Sequence, residues 1–266
     1  MNKTMALKLL ATLAGLAASA PALAVNWTTS NSVALGVTGG SIYCSTTTCQ
    51  TSASGLTGSV IKMNAYSTPN QGTPTPENGQ WLSQKIAIYG GSGVGITNNV
   101  QPEGGAPQHA IDNRLVNDIL VVDFGANNWD VSSFNLGYAC TINVAGDGCS
   151  GSTVNVSAWV GGSGAINFNT MAFSGSGTSA TLPGFQSLVL SNDPGGAGTK
   201  TDSTSHTGRY LVISGDLGSY SSAFKVTGIS ATQIEPPPNQ APLPGTLPLL
   251  GLGLLALGAL RARRAA

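Results

Sequence analysis

Four oxygen-bearing side chains stand close together in the middle of the chain, and their chemistry suits a hard cation. They are Asp112, Asn113, Asp118 and Asp123. Calcium takes about six to eight oxygen ligands, which include backbone carbonyls. The grouping predicts a structural calcium site, or a ligand-contacting loop, where a strand begins, and we expect no other cofactor. The spacing does not match an EF-hand loop, so a second interpretation stays open: a turn in which Asp and Asn side chains accept hydrogen bonds from their own backbone.

The cysteines offer a second kind of chemistry. An even number of cysteines is typical of disulfides in an oxidising compartment, and four cysteines allow three pairings. We expect the pairs Cys44–Cys49 and Cys140–Cys149, because each would close a short, turn-rich loop. A metal site is the alternative, but the spacing lacks the C-x-x-C pairs of structural zinc.

Catalytic chemistry has weak support in the sequence. His109 and His206 are the only histidines, and either could act with a serine and an aspartate. No serine, however, lies in the G-x-S-x-G motif of a nucleophile elbow. A glycosidase would need two carboxylates that face a sugar. The candidates for such a pair are Glu77, Glu103, Asp112, Asp118, Asp123 and Asp130.

The tryptophans are candidates for stacking on sugar rings, because an aromatic side chain combines an apolar body with a polar edge. They are Trp27, Trp81, Trp129 and Trp159. Packing in the core is the alternative. Alternation in the segment 154–160 predicts that Trp159 faces away from Val154, Val156 and Val160.

The charge distribution argues against nucleic acid as a partner. Charged residues make up only 8% of the 266 residues, so Ser, Thr, Asn, Gln and Gly must form much of the surface. Five of the eleven basic residues lie near the two ends, whereas the acidic residues lie between them. The middle of the chain is therefore mildly acidic, and phosphate binding needs clustered Lys and Arg.

The segments that must position the candidate site residues are predicted to be β-strands. Runs rich in β-branched and aromatic residues are separated by Gly-, Ser- and Asn-rich turns. The predicted strands are 60–66, 81–89, 119–124, 134–138, 154–160, 187–190, 210–213 and 224–229. We expect a short helical turn within 106–117 and a surface loop over 192–208. Many short strands favour one all-β domain over residues 25–234, a β-sandwich or jelly-roll-like fold.

The first 24 residues have the three parts of a secretory signal peptide. Lys3 and Lys8 give a basic start, an apolar stretch covers 9–18, and Ala22-Leu23-Ala24 forms a cleavage site before Val25. The pattern predicts passage through the Sec translocon and removal by signal peptidase. A short buried helix is the alternative.

The C-terminal end of the chain combines a spacer, an apolar stretch and basic residues. A polar, Pro-rich linker covers 235–241, and Pro242-Leu243-Pro244-Gly245 follows it. The apolar stretch 247–260 is slightly shorter than the ~17–25 residues of a standard membrane span. Arg261, Arg263 and Arg264 come next and should stay on the cytoplasmic side, which places the middle of the chain outside.

Residues 242–266 resemble a PEP-CTERM sorting signal, with its Pro motif, apolar helix and terminal Arg cluster. The resemblance implies recognition by an exosortase, a membrane cysteine transpeptidase that cuts near the Pro motif. The C-terminal helix would anchor the precursor in the inner membrane until that cut. Leu243 stands where the usual motif has Glu, so the cleavage position is open. The family implies a Gram-negative bacterium that makes exopolysaccharide; an ordinary tail anchor is the alternative.

A second resemblance covers the middle of the chain. The motif His109-Ala110-Ile111-Asp112-Asn113, the strand at 117–124 and the late segment Ala223-Phe224-Lys225-Val226 occur in this order. They resemble a group of exosortase-dependent surface proteins, with Ser222 where that group has Asp. This resemblance implies a surface location and no established activity.

These features predict an exported, exosortase-processed protein of the cell surface or extracellular matrix. We expect it to be non-enzymatic and to associate with exopolysaccharide in a biofilm or floc. The alternative is a secreted carbohydrate-binding module or a carbohydrate-active enzyme.

Overall fold

Strands account for most of the folded chain, as the alternation of apolar and polar residues predicts. The computed structural model describes residues 23–28, 37–38, 41–45, 48–69, 80–89, 91–97, 109–114, 116–125, 128–143, 148–175, 179–217 and 222–234. All of them belong to one unit that ends at Ile234. The linker, the sorting motif and the C-terminal Arg cluster lie outside the described residues, as does the leader up to Ala22.

The described residues form eighteen strands and one 3-10 turn at Phe168–Thr170. The strands are β1 Leu23–Thr28, β2 Val37–Thr38, β3 Ile42–Cys44, β4 Cys49–Gln50, β5 Ile61–Ser67, β6 Leu82–Ser83, β7 Lys85–Tyr89, β8 Gly93–Thr97, β9 Ile111–Asp112, β10 Asp118–Asp123, β11 Asn128–Ile142, β12 Cys149–Gly151, β13 Val156–Gly161, β14 Phe185–Ser187, β15 Gly198–Thr201, β16 Thr207–Gly208, β17 Tyr210–Gly215 and β18 Ser222–Ile234.

The strands build two antiparallel sheets. Sheet A has the order β12-β11-β18-β8-β7-β2, with β1 and β9 also paired to β18, and β15 and β16 paired to β11. Sheet B has the order β14-β13-β17-β10-β5-β3-β4, with β6 paired to β5. A continuous apolar core contains residues of both sheets, for example Phe134 and Phe224 of sheet A with Leu120 and Val122 of sheet B. The predicted all-β fold of two packed sheets is confirmed.

The two sheets differ in how their outer faces are covered. In β11 and β18 of sheet A, buried residues alternate with more exposed ones, which is typical of a sheet with one face toward solvent. Every residue of β13 and β17 is buried, and β10 is buried as far as Val122. Sheet B is therefore covered on both faces in this region.

A covering segment spans residues 162–184, and its described parts, 162–175 and 179–184, lie over the outer face of sheet B. Its side chains Phe168, Met171 and Phe173 form a second apolar cluster with Trp159 and Val212 of the sheet. Phe173 packs between two tryptophans, with its ring centroid 4.9 Å from that of Trp159 and 5.5 Å from that of Trp81. The fold thus has a second apolar layer in addition to the core between the sheets.

The first and last strands of the unit pair with each other. β1 runs antiparallel to β18, from Leu23 opposite Gln233 to Thr28 opposite Gly228. The chain therefore enters and leaves the sheet at neighbouring positions. The predicted cleavage site between Ala24 and Val25 falls inside β1.

Both expected disulfides are present. Cys44 and Cys49 join β3 to β4, and Cys140 and Cys149 join β11 to β12, so each bond closes a hairpin. The first disulfide is buried, whereas Cys149 is exposed. The two bonds indicate that this part of the chain folds in an oxidising compartment.

Two local expectations were wrong. The helical turn expected in 106–117 is replaced, within the described residues 109–114 and 116–117, by strand β9, because Ile111 and Asp112 pair with β18. The expected loop 192–208 contains β15 and β16, which pair with β11.

Among the residues that the structure describes, no helix has the length and apolar character needed to cross a bilayer.

Candidate functional site

The four predicted calcium ligands do not form one site. Asp118 begins β10 and Asp123 ends it. Asp123 forms an ion pair with Arg209, in which Nε and Nη2 donate to the two carboxylate oxygens at 2.8 Å each. The N–H of Gly125 also donates to Asp123, at 2.8 Å. Its role is therefore to join the end of β10 to the start of β17.

Asp118 instead connects the two sheets. It is fully buried, and its Oδ1 accepts a hydrogen bond from the hydroxyl of Ser67, its partner in the β5–β10 ladder of sheet B. Its Oδ2 accepts from the N–H of Asp112, in strand β9 of sheet A, at 3.4 Å. Asp112 Oδ1 accepts from the N–H of Arg114 at 3.0 Å. This last contact is the side-chain-to-backbone turn named above as the alternative to a calcium site.

Asn113 completes this junction between the sheets. Its Nδ2 donates to the carbonyl of Asp216 after β17, and its Oδ1 accepts from the N–H of Ser222 at 2.9 Å. The motif at 109–113 is therefore explained by fold geometry. Nowhere in the described part of the chain are three His, Cys, Asp or Glu residues grouped so that they could hold a metal ion.

A cleft opens elsewhere, at the edge of sheet B beside β13. The N–H of Leu188 donates to the carbonyl of Ala158 at 2.9 Å, and the N–H of Val156 donates to Asp193 Oδ1 at 3.0 Å. Between these two bonds the segment 189–192 is hydrogen-bonded to residues 201–203: the N–H of Ser191 donates to the carbonyl of Thr201 at 2.8 Å, and the N–H of Ser203 donates to that of Val189 at 3.1 Å. The cleft has a volume of about 330 Å³. Its lining residues are Val156, Ser157, Ala158, Trp159, Ser187, Leu188, Val189, Leu190 and Asp193.

Ser157 supplies an unused polar atom to this cleft. The residue is 6% exposed, and its hydroxyl has no hydrogen-bond partner among the described residues. A buried hydroxyl without a partner loses its interaction with water and gains nothing in return. Buried polar groups in folded proteins nearly always have a hydrogen-bond partner, so the Ser157 hydroxyl is an exception.

The rim of the cleft is held in place by a buried ion. Lys200, at 1% exposure, donates from Nζ to the carbonyl of Asn192 at 2.6 Å. Burial lowers the pKa of this ammonium, and the Asp193 carboxylate opposes the shift. Burial also raises the pKa of the Asp193 carboxyl, against the Val156 N–H and Lys200. The loop 191–197 therefore lies beside a buried lysine and a carboxylate, and the charge of each opposes the effect of burial on the other.

No family model, curated protein or solved structure matches the chain. The interpretation of the cleft therefore depends on its own geometry.

The tryptophans do not form a sugar-stacking surface. All four are at most 3% exposed, so of the two interpretations core packing is confirmed. Trp81 Nε1 donates to the carbonyl of Met171 at 3.1 Å, and Trp159 Nε1 donates to that of Ala180 at 2.9 Å. These two side chains hold the covering segment against sheet B. Trp159 does face away from Val156 and Val160, as predicted.

The histidines lie in two separate structural contacts. His206 Nδ1 is 2.8 Å from Asp202 Oδ2 and 2.8 Å from the Thr204 hydroxyl, within one turn. The neighbouring Ser205 hydroxyl donates to Asp130 at 2.7 Å. His109 stacks on Tyr89, with ring centroids 5.1 Å apart. In the described residues neither histidine joins a serine and an aspartate in a Ser–His–Asp arrangement.

The sequence interpretation missed the cleft residues Ser157, Asp193 and Lys200. One signal was present: the turn sequence Asn192-Asp193-Pro194-Gly195 is followed by an isolated lysine in a chain with few charges. A lysine buried in a strand-rich interior needs hydrogen-bond acceptors or a charged partner, and a nearby loop can supply them. Pairing of β15 with β11, which buries Lys200, could not be derived from local pattern.

Proposed function

We propose that this chain is an exported, non-catalytic protein of the cell surface or extracellular matrix, sorted by an exosortase and associated with exopolysaccharide. The observation that carries the proposal is the pair of disulfides, each closing a hairpin of the β-sandwich. A fold with two such bonds suits an oxidising compartment. The leader 1–24 and the PEP-CTERM-like tail 242–266 supply the route to that compartment.

The proposed route has two cuts. Signal peptidase removes the leader after Ala24, and exosortase cuts near Pro242-Leu243-Pro244-Gly245. Until the second cut, the apolar stretch 247–260 holds the precursor in the inner membrane, with Arg261, Arg263 and Arg264 on the cytoplasmic side. The processed domain, released or transferred by the exosortase, then associates with the polysaccharide outside the cell.

The test follows the protein in a Gram-negative host that carries an exosortase. Fractionation, intact mass and thiol alkylation should find a chain that begins at Val25, lacks the Arg cluster and has no free thiol. Replacing Arg261, Arg263 and Arg264 together by Gln should make the uncut C-terminus accumulate. The control is Lys62→Gln with Lys85→Gln, which removes basic charge from the folded domain and should leave processing unchanged.

The proposal is wrong if the full-length chain, uncut at both ends, is recovered from the cytosol with four free thiols. Exported protein whose tail stays intact in an exosortase-containing host would overturn the sorting step alone.

A further inference from the structure

We propose that the cleft between β13 and residues 188–193 binds a neutral sugar ring, with the Ser157 hydroxyl as its buried hydrogen-bonding partner. This inference rests on the proposed association with exopolysaccharide and assigns that association to a site. The cleft volume of about 330 Å³ lies at the small end of ligand pockets, which suits one or two rings of a longer chain.

The polar part of the cleft is suited to hydroxyl groups. Ser157 is more than nine-tenths buried, has no partner among the described residues and lines the cleft. Asp193 uses one oxygen, Oδ1, to accept the Val156 N–H. A sugar hydroxyl can donate and accept at the same time. One ring can therefore satisfy Ser157 and donate to Asp193 through neighbouring hydroxyls.

The charges around the cleft favour a neutral ligand. Burial raises the pKa of the Asp193 carboxyl and the nearby Lys200 ammonium opposes that shift, so the carboxylate already has a cationic neighbour. Asp216 lies close enough to Asp193 for the two carboxylates to repel each other. A uronate or a phosphate would add a further negative charge to this region. A neutral glycan avoids that cost.

The remaining wall of the cleft is aliphatic. Leu188 and Leu190 pack toward the core, whereas Val189 is 59% exposed and stands free at the rim. The C–H face of a sugar ring can cover such a side chain. The lining residues include a single carboxylate, whereas acid–base glycoside hydrolysis uses two. We therefore expect binding without hydrolysis.

The test titrates the full chain, purified in detergent, with three hexasaccharides: maltohexaose, cellohexaose and hexagalacturonate. Calorimetry and ligand-observed NMR should find saturable binding of at least one neutral hexaose and at least tenfold weaker binding of the uronate. Ser157→Ala should weaken neutral binding about tenfold, since one hydrogen bond is lost. It should also keep or raise the melting temperature, because it removes a buried hydroxyl that has no partner in the unbound protein.

A second variant separates an effect on binding from an effect on stability. Val189→Asn alters an exposed rim side chain and should weaken binding several-fold at an unchanged melting temperature. The matched control is Leu82→Asn, at an apolar residue of β6 that is 46% exposed and does not line the cleft. A further control, Thr207→Ala, changes a separate shallow groove of about 270 Å³ that Asn128 and Gln186 also line.

The inference is overturned if neither neutral hexaose binds, if Thr207→Ala weakens binding while Ser157→Ala and Val189→Asn do not, or if the uronate binds best. Each of these results leaves the export and sorting experiment untouched. Conversely, a cytosolic, uncut chain that still bound a neutral hexaose would refute the proposed function and leave the cleft assignment standing.

Discussion

Side chains with similar chemistry have very different roles in this protein, and their positions in the sheets determine which. Asp118 and Asp123 both bound β10, but an odd separation along a strand points them to opposite faces of sheet B. Asp118 accepts donors from both sheets, and Asp123 pairs with Arg209 near the surface. Ser157 is also buried, but its hydroxyl has no partner among the described residues, and for this reason we assign it to ligand binding.

Removing the Asp118 carboxylate should strongly destabilise the fold. In Asp118→Ala the Ser67 hydroxyl and the Asp112 N–H lose their acceptor inside the protein, at a cost of about 1–3 kcal/mol for each buried group. We expect a loss of at least ~3 kcal/mol in the free energy of unfolding, measured by urea denaturation at neutral pH. Asp118→Asn should lose about half as much, because one acceptor oxygen remains. Asp130→Asn, at a contact with Ser205 on the surface, is the control and should stay within ~0.5 kcal/mol.

The same junction explains why a chelator should have no effect on stability. Asp112, Asn113 and Asp118 each accept at least one hydrogen bond from a protein donor. We expect equal melting temperatures with calcium and with EDTA. A clear rise with calcium would restore the calcium site predicted from the sequence.

At the scale of elements, the main feature is a sheet buried on both faces. β13 and β17 carry core residues on one side and contacts to the covering segment on the other. The segment has little regular structure of its own, so it depends on Trp81 and Trp159 for its position. Its stability is therefore tied to tertiary packing.

Trp159→Ala should release the covering segment before the rest of the fold. Large-to-small substitution of a buried aromatic costs about 3–5 kcal/mol, and here the bond to the Ala180 carbonyl is lost as well. Limited proteolysis should show new cuts within 162–184 at temperatures where the remaining fold is intact. Trp159→Phe should cost less, since most of the apolar contact survives. Simultaneous loss of the whole fold in Trp159→Ala would contradict the idea of a separable layer.

The two disulfide hairpins should differ in how readily they are reduced. Cys149 is exposed, whereas Cys44 and Cys49 lie in the apolar core. With a limiting amount of a small thiol, alkylation and peptide mass analysis should find Cys140 and Cys149 labelled first. Loss of either bond should lower the free energy of unfolding by about 2–3 kcal/mol, as expected for such short loops. Equal labelling of both pairs would mean that exposure does not control reduction.

At the scale of the whole molecule, the alternation of apolar and polar residues in many short segments predicted the all-β architecture. The strands predicted at 119–124, 210–213 and 224–229 correspond to β10, β17 and β18, because alternation and β-branched residues act locally. The covering segment was not foreseen, since Phe168, Met171 and Phe173 follow no period in a Gly- and Ser-rich stretch. The cleft was missed for a related reason: it depends on where β14 separates from β13, which is set by long-range packing.

The pH dependence of global stability provides a further prediction. Burial, together with the charge of Asp193, raises the pKa of the Asp216 carboxyl, and a hydrogen bond from Asn155 opposes the shift. The folded chain therefore holds this proton more tightly than the unfolded chain. The resulting stabilisation is fully present below about pH 4 and is lost as the pH rises through the folded-state pKa.

Asp216→Asn should accordingly raise the melting temperature at pH 7, and the gain should shrink as the pH falls toward 4. The new amide keeps an oxygen that can accept from Asn155, so the local hydrogen bond survives. Asp130→Asn is again the control and should show no such trend. A variant that is less stable than the parent at pH 7 would show that Asp216 has a favourable charge partner.

The long strand β18 lies in the middle of sheet A, with β11 on one side and β8, β9 and β1 on the other. Its carboxyl end, Ile234, is followed by the proposed linker and sorting signal. Tension applied along the axis of β18 from that end would load its flanking ladders in shear, so that many hydrogen bonds resist together, whereas a pull across the sheet would peel them one at a time. In single-molecule pulling the domain should therefore resist more force through Ile234, along the strand, than through a handle in the exposed segment 51–55. A matrix attached through the C-terminal side of the domain would therefore load β18 along its length.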